Sequence, residues 1–241
     1  MTNRIAMWSG PRNISTAMMR SFENRADCVV VDEPFYAAYL AETGLDHPMR
    51  DEVLASQPTD WRAVVERLEA ETPAGIRYEK HMAHHMLPGF GLGWTSKCLN
   101  AFLIREPEPV LASYVAKRAE VTLADIGIVR QRELFDREAD RLGKAPPVVR
   151  GADVVADPRG MLTKLCSSLG IHFEEAMLSW PAGRRDSDGV WAPAWYEAVE
   201  RSTGFEAPDP KPAPALNDDL QRIADAARPH YEVLAAYRIA L

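Results

Sequence analysis

Apolar positions in this chain fall in short continuous runs separated by longer amphipathic stretches. Residues 5–8 (Ile-Ala-Met-Trp), 28–31 (Cys-Val-Val-Val), 76–80 and 101–104 (Ala-Phe-Leu-Ile) read as strands, and 147–150 as a shorter fifth. Continuous rather than alternating apolar runs fit strands of a parallel sheet, buried on both faces. Helical spacing dominates elsewhere. Met18 and Phe22 fall four apart after Ser15 and Thr16. Residues 60–68 form a helix with Asp60 as N-cap and Trp61, Val64, Val65 and Leu68 on one face. Pro107 and Pro109 suit a helix start, and residues 121–142 are helical and rich in both charge signs, as on a solvated face. A helix opening at Asp157-Pro158 carries Met161, Leu162, Leu165 and Leu169 and ends at Gly170; the last helix spans about 217–237. Residues 36–67 are mixed, 89–93 form a flexible glycine-spaced loop, and a proline-alternating strap covers 206–215.

Length and composition narrow the class. The 241 residues are most simply one α/β domain over 1–241, without internal repeats. A chain of this size buries roughly 70–75% of its unfolded surface and needs no disulfide staples. Net charge is −7, against general nucleic-acid binding, so any anion site must be a local positive pocket. Cys28, Cys98 and Cys166 are scattered and odd in number, which reads as buried free thiols in a reducing compartment. No apolar stretch approaches the ~18 residues of a membrane span, and none resembles a signal peptide. The expectation is a cytoplasmic protein with no membrane or nucleic-acid partner; oligomeric state is not legible.

Candidate chemistry begins at Gly10-Pro11-Arg12-Asn13-Ile14-Ser15-Thr16. A strand feeding a turn and a helix start aims free backbone N–H groups at one point, and the helix dipole adds positive potential. Arg12 supplies a charge suited to phosphate or sulfate oxygens. The loop is not a standard triphosphate P-loop, because Asn13-Ile14 stands where Gly-Lys is required.

Asp32 and Glu33 end the second strand, on the ligand side of a parallel sheet. They could bind an acceptor, contact magnesium-bound water, or form salt bridges. Lys80 precedes His81, His84 and His85, half of the six histidines and the best place to look for a general base. Strand alternation would put Lys80, Met82 and His84 on one side, with His81 and His85 on the other. The i, i+4 spacing of His81 and His85 lacks a third ligand, so no metal is expected.

Arg105 ends the fourth strand, Pro107 follows two residues on, and Ser113-Tyr114 stands eight and nine residues after the arginine. This pattern, with the Pro11–Arg12–Ser15–Thr16 loop, resembles the sulfotransferase family that uses 3′-phosphoadenosine-5′-phosphosulfate (PAPS). The late loop 182–191 resembles the family's loosely, through Arg184, Arg185, Gly189 and Trp191, with Asp186 replacing its first glycine.

The resemblance implies an α/β, three-layer, P-loop nucleotide-hydrolase-like fold with a central parallel sheet flanked by helices. It implies PAPS as donor and sulfuryl transfer to a hydroxyl or amine of a small-molecule acceptor. Gly10, Pro11, Arg12, Asn13, Ile14, Ser15 and Thr16 would hold the donor's 5′-phosphosulfate. Arg105 and Ser113, with Arg184 and Arg185 of the late loop, would hold its 3′-phosphate. Arg12 and Lys80 would stabilise charge in the transition state. The family's usual histidine position is Met82 here, leaving His84, then His81 or His85, as base. Ala17 replaces a tryptophan that packs on adenine in many members. A kinase-like phosphotransferase and a non-catalytic nucleotide-binding protein are the alternatives.

Overall fold

The computed structural model describes residues 2–115, 120–206 and 215–241. In chain order its first elements are β1 (Asn3–Ser9), α1 (Ser15–Glu23), β2 (Cys28–Asp32), α2 (Tyr36–Thr43), α3 (Arg50–Ser56), α4 (Trp61–Glu69) and β3 (Ile76–Met82). Then come β4 (Leu99–Ile104), α5 (Pro107–Tyr114), α6 (Ile128–Leu142), β5 (Val148–Arg150), α7 (Gly151–Ala156) and α8 (Pro158–Ser168). The chain finishes with α9 (Ala192–Trp195), α10 (Glu197–Arg201) and α11 (Asp218–Ala236). The five strands are all parallel, in the order β2-β3-β1-β4-β5.

The apolar runs are continuous because both faces of the sheet are covered. Ala6 and Trp8 of β1 face a core completed by Phe102, Phe135 of α6 and Leu234 of α11. Ile5 and Met7 face the opposite core, with Met18 and Phe22 of α1 and Leu162 and Leu165 of α8. This is the three-layer α/β architecture that the resemblance implied. Asp60 caps α4 by accepting from the Arg62 N–H, and Asn217 caps α11 by accepting from Leu220.

The order of strands creates the site. The connection leaving β1 runs toward β2 on one side of the sheet, and that leaving β4 runs toward β5 on the other. A crevice therefore opens between the C-terminal ends of β1 and β4, the usual ligand position in open parallel sheets.

Two expectations change. The helix expected from residue 121 begins at Ile128, because Gly127 adopts a left-handed φ of 71° that sets the helix start. Residues 122–125 instead make a turn in which the Asp125 carboxylate accepts from the Thr122 N–H and hydroxyl. The charged face of α6 is also not all solvated. Buried Glu138 accepts from Thr95 at 2.7 Å and Asn100 at 3.1 Å, and buried Gln131 donates to the Trp8 and Leu103 carbonyls. The mixed stretch after residue 35 contains α2 and α3, packed on each other. The proline strap lies outside the described residues except at its end positions, 206 and 215.

Candidate active site

The loop after β1 is braced from below. A Cβ on Gly10 would fall 2.7 Å from the Ile126 carbonyl oxygen, so only glycine permits that approach. The Asn13 amide donates to the Leu103 carbonyl at 3.2 Å, tying the loop to β4. Arg12 takes a left-handed φ of 54°, uncommon for a residue with a side chain. Beyond it α1 starts with no side-chain cap and no acidic residue in its first turn, which leaves its leading N–H groups for an external anion.

Two sequence motifs meet here. The Arg12 Nε donates to the Ser113 Oγ at 2.9 Å, and the Arg105 guanidinium donates to the Arg12 carbonyl oxygen. Among the described residues neither arginine forms an ion pair with a carboxylate. Burial lowers both from their ordinary pKa; for Arg105 the Glu106 carboxylate partly opposes this and Arg12 adds to it. Two adjacent guanidiniums with no carboxylate in direct contact among the described residues mark a place for an anion.

A cavity of about 610 Å³ opens over this loop. Its wall includes Pro11, Arg12, Asn13, Ile14, Ser15, Thr16, Lys80, His84, His85, Arg105 and Ser113, all candidates from the sequence. It also includes Glu33, Tyr36, His47, Tyr114, Trp195 and Tyr196. Gly10 is not on this wall; it lies beneath, against Ile126, where it serves packing.

At the other side of the cavity Lys80 is buried, 1% exposed, and its ammonium is saturated. It donates to Asp32 at 2.9 Å, Glu33 at 2.5 Å and the Tyr196 hydroxyl at 2.7 Å. Burial pulls the lysine down, but Asp32 and Glu33 prevail and raise it above its ordinary value. Burial also raises the Glu33 carboxyl against the opposing pull of Lys80. Glu33 itself has a φ of 39°. Tyr196 came with no sequence signal, since no local motif surrounds it; Asp32 and Glu33 were legible as acids ending a strand.

The histidines separate. The strand alternation holds through Met82, so Lys80 and Met82 line the cavity while His81 faces away. His81 stacks on Trp8 with ring centres 4.6 Å apart and bonds Glu79 at 3.1 Å, which also pairs with Arg4. It is a core residue, not a base candidate, because a full layer of sheet separates it from the cavity. After Met82 the chain turns into a single 3₁₀ turn, Ala83–His85, and alternation no longer applies. That turn brings both His84 and His85 to the cavity wall. His85 is sandwiched between Tyr36 and Tyr39, and burial holds it well below its ordinary pKa, hence neutral. Its Nδ1 is 3.9 Å from a Glu33 oxygen.

Arg184 and Arg185 do not reach the cavity. Arg184 is exposed, 3.8 Å from Glu200, and Arg185 pairs with Glu23 at 3.1 Å. The carboxylates nearest them set their direction. Among the described residues no three metal-ligating side chains cluster, and no helix is long and apolar enough to cross a membrane.

The chain is similar to known proteins in sequence and in fold. A branched-chain-amino-acid aminotransferase-like protein 1 of Arabidopsis thaliana is 35% identical over 236 residues. The alignment covers 97% of this chain but 42% of that relative, so the chain spans about two-fifths of its length. The sulfotransferase domain of the Synechococcus PCC 7002 olefin synthase superposes with a TM-score of 0.54 at 19% identity, covering 99% of this chain and 96% of that one. Mouse sulfotransferase SULT7A1, complexed with PAP, gives 0.52 at 12% identity, covering 98% and 89%. These two likenesses establish the fold. Residues 3–238 match the family described as sulfotransferase domain, and with its cradle and cavity in place this chain belongs to that family of transferases.

Proposed function

We propose that this protein moves a sulfuryl group from PAPS to a hydroxyl or amine of a small-molecule acceptor. The observation that carries the donor assignment is the junction of Arg12, Ser113 and Arg105, two guanidiniums that among the described residues form no ion pair with a carboxylate, beside an uncapped helix start. The donor carries several negative charges, and this is where the cavity supplies positive ones.

In the transfer the acceptor oxygen or nitrogen forms a bond to sulfur as the bond from sulfur to the phosphate oxygen breaks. Arg12 and the first N–H groups of α1 offset the charge gathering on the departing phosphate and the sulfuryl oxygens, and Lys80, whose three protons are taken by Asp32, Glu33 and Tyr196, adds its positive charge from the cavity wall. His84, the most accessible of the three cavity histidines at 9% exposure against 5% for His47 and 2% for His85, takes the acceptor's proton. A magnesium-dependent phosphotransferase would draw on Asp32 and Glu33, but both carboxylates are hydrogen-bonded to Lys80.

The test is calorimetric titration with 3′-phosphoadenosine-5′-phosphate (PAP) without metal, on the wild-type chain and Arg105→Ala. Micromolar binding weakened by about 2 kcal/mol or more is expected, as for loss of a charged hydrogen-bonding partner. Absence of PAP binding alongside magnesium-dependent ATP binding would reverse the assignment. PAP binding without any turnover across an acceptor screen would favour a binding protein.

A further inference from the structure

The late segment that resembles a donor-closing loop makes its hydrogen bonds somewhere else. Its arginines turn away from the cavity, while Asp188, Gly189 and Trp191 point into the fold. Asp188 is hydrogen-bonded at 2.7 Å to the fully buried Arg20 of α1 and accepts from the Arg185 N–H at 2.8 Å, which anchors the loop. The Gly189 N–H then donates to the Asp32 carboxylate at 3.0 Å. A Cβ on Gly189 would sit 2.1 Å from the Trp191 indole, so the ring covers the glycine directly. The indole Nε1 of Trp191 donates to the Tyr196 hydroxyl at 3.0 Å.

Both routes therefore end on the partners of one ammonium. Asp32 accepts from Gly189, from Tyr196 at 2.7 Å and from Lys80. Tyr196 accepts from Lys80 and Trp191 and donates to Asp32. Burial holds the Tyr196 phenol well above its ordinary value, so it keeps the proton it donates.

We infer that Asp32, Tyr196 and the Gly189–Trp191 segment are positioning residues for the Lys80 ammonium, acting on the transfer step and not on donor binding. The geometry differs from donor closure in a checkable way: among the described residues the arginine cradle of Arg12 and Arg105 shares no hydrogen bond with this network. An ammonium with three donors and three fixed acceptors has one defined place. Removing an acceptor leaves it free to wander by more than transition-state stabilisation tolerates. The inference rests on the sulfotransferase reading, since it takes Lys80 to face the departing oxygen. The charged and titratable groups felt by Lys80 are Asp32, Glu33, Tyr196, Tyr78 and His85.

The experiment needs no acceptor. PAP binding is measured by calorimetry, and breakdown of PAPS to PAP with water as acceptor is followed in the same preparations. Tyr196→Phe and Gly189→Ala should bind PAP within about twofold of wild type while PAPS breakdown slows at least tenfold. In Asp32→Asn the Lys80 ¹⁵Nζ resonance should titrate at lower pH than in wild type, since a charge that stabilises the ammonium is gone. Unchanged breakdown in Tyr196→Phe, or a loss of PAP binding in step with it, overturns the inference. A wild-type Lys80 resonance titrating at or below the ordinary lysine value overturns it even if the variants fail to fold. A wild-type chain that binds no PAP instead overturns the sulfotransferase reading.

Discussion

The Arg12 Nε lies 2.9 Å from the Ser113 Oγ although the two residues are 101 positions apart. One follows β1, the other closes α5, and the crevice between β1 and β4 is what brings them together. A hydroxyl that holds a guanidinium in place should matter to any anion the guanidinium binds. Ser113→Ala is expected to weaken PAP binding by about 1 kcal/mol, roughly fivefold. Combined with Arg12→Ala it should add much less than that, because the two act as a unit. Calorimetry on the two single variants and the double variant reads the coupling directly; fully additive losses would mean that the contact has no part in binding.

His81 and His84 make a matched pair for separating stability from chemistry. His81 is buried against Trp8 and is the partner of Glu79, so His81→Ala leaves a cavity and deprives a buried carboxylate of a hydrogen bond. A loss on the order of 3 kcal/mol in urea unfolding is expected, with PAP affinity retained in the folded fraction. His84→Gln should do the opposite: stability and PAP binding close to wild type, with transfer to an acceptor reduced at least a hundredfold. If His85→Asn abolishes transfer while His84→Gln retains it, the base is the inner histidine.

Acid should destabilise the fold from an unusually high pH. His81 and His85 are both held below their ordinary value, chiefly by burial. The unfolded chain then binds more protons than the folded one below about pH 6.5, so stability falls as pH falls through that value. Each histidine contributes a slope of up to about 1.4 kcal/mol per pH unit. Glu33, raised by burial, works in the opposite sense between the ordinary carboxylate range and its own folded value. The comparison that isolates the histidine is the pH dependence of urea unfolding in wild type against His85→Asn. Wild type should be the steeper between pH 6.5 and 5; equal slopes would show that His85 is not buried as a neutral ring.

Much of this site could be read from residue order because its signals are local. Continuous apolar runs gave the strands, and the spacing from Arg105 to Ser113 placed a cation at a strand end and a hydroxyl on the helix behind it. What escaped was set by tertiary packing. Strand alternation separated His81 from Lys80 correctly, but nothing in residues 81–86 reveals that the chain leaves the sheet after Met82, which is what brings His85 to the cavity. Arg184 and Arg185 look like phosphate ligands in sequence; Glu200 and Glu23, from distant segments, determine where they point. Tyr196 is an ordinary tyrosine until β2 and β3 place two acids and a lysine against its hydroxyl.

The strand order has a consequence for how such a catalyst can change. In the proposed function the grip on an anionic donor comes from the segments that follow β1 and β4 and from α5, whereas the lysine, its carboxylates and the cavity histidines come from β2, β3 and the segments that follow them. The chain from 34 to 75, including α2, α3 and α4 but not Glu33, which holds Lys80, can therefore be rebuilt without touching the arginines and serine of the cradle. Such a division lets one half of the sheet explore new chemistries of recognition while the other keeps a single fuel.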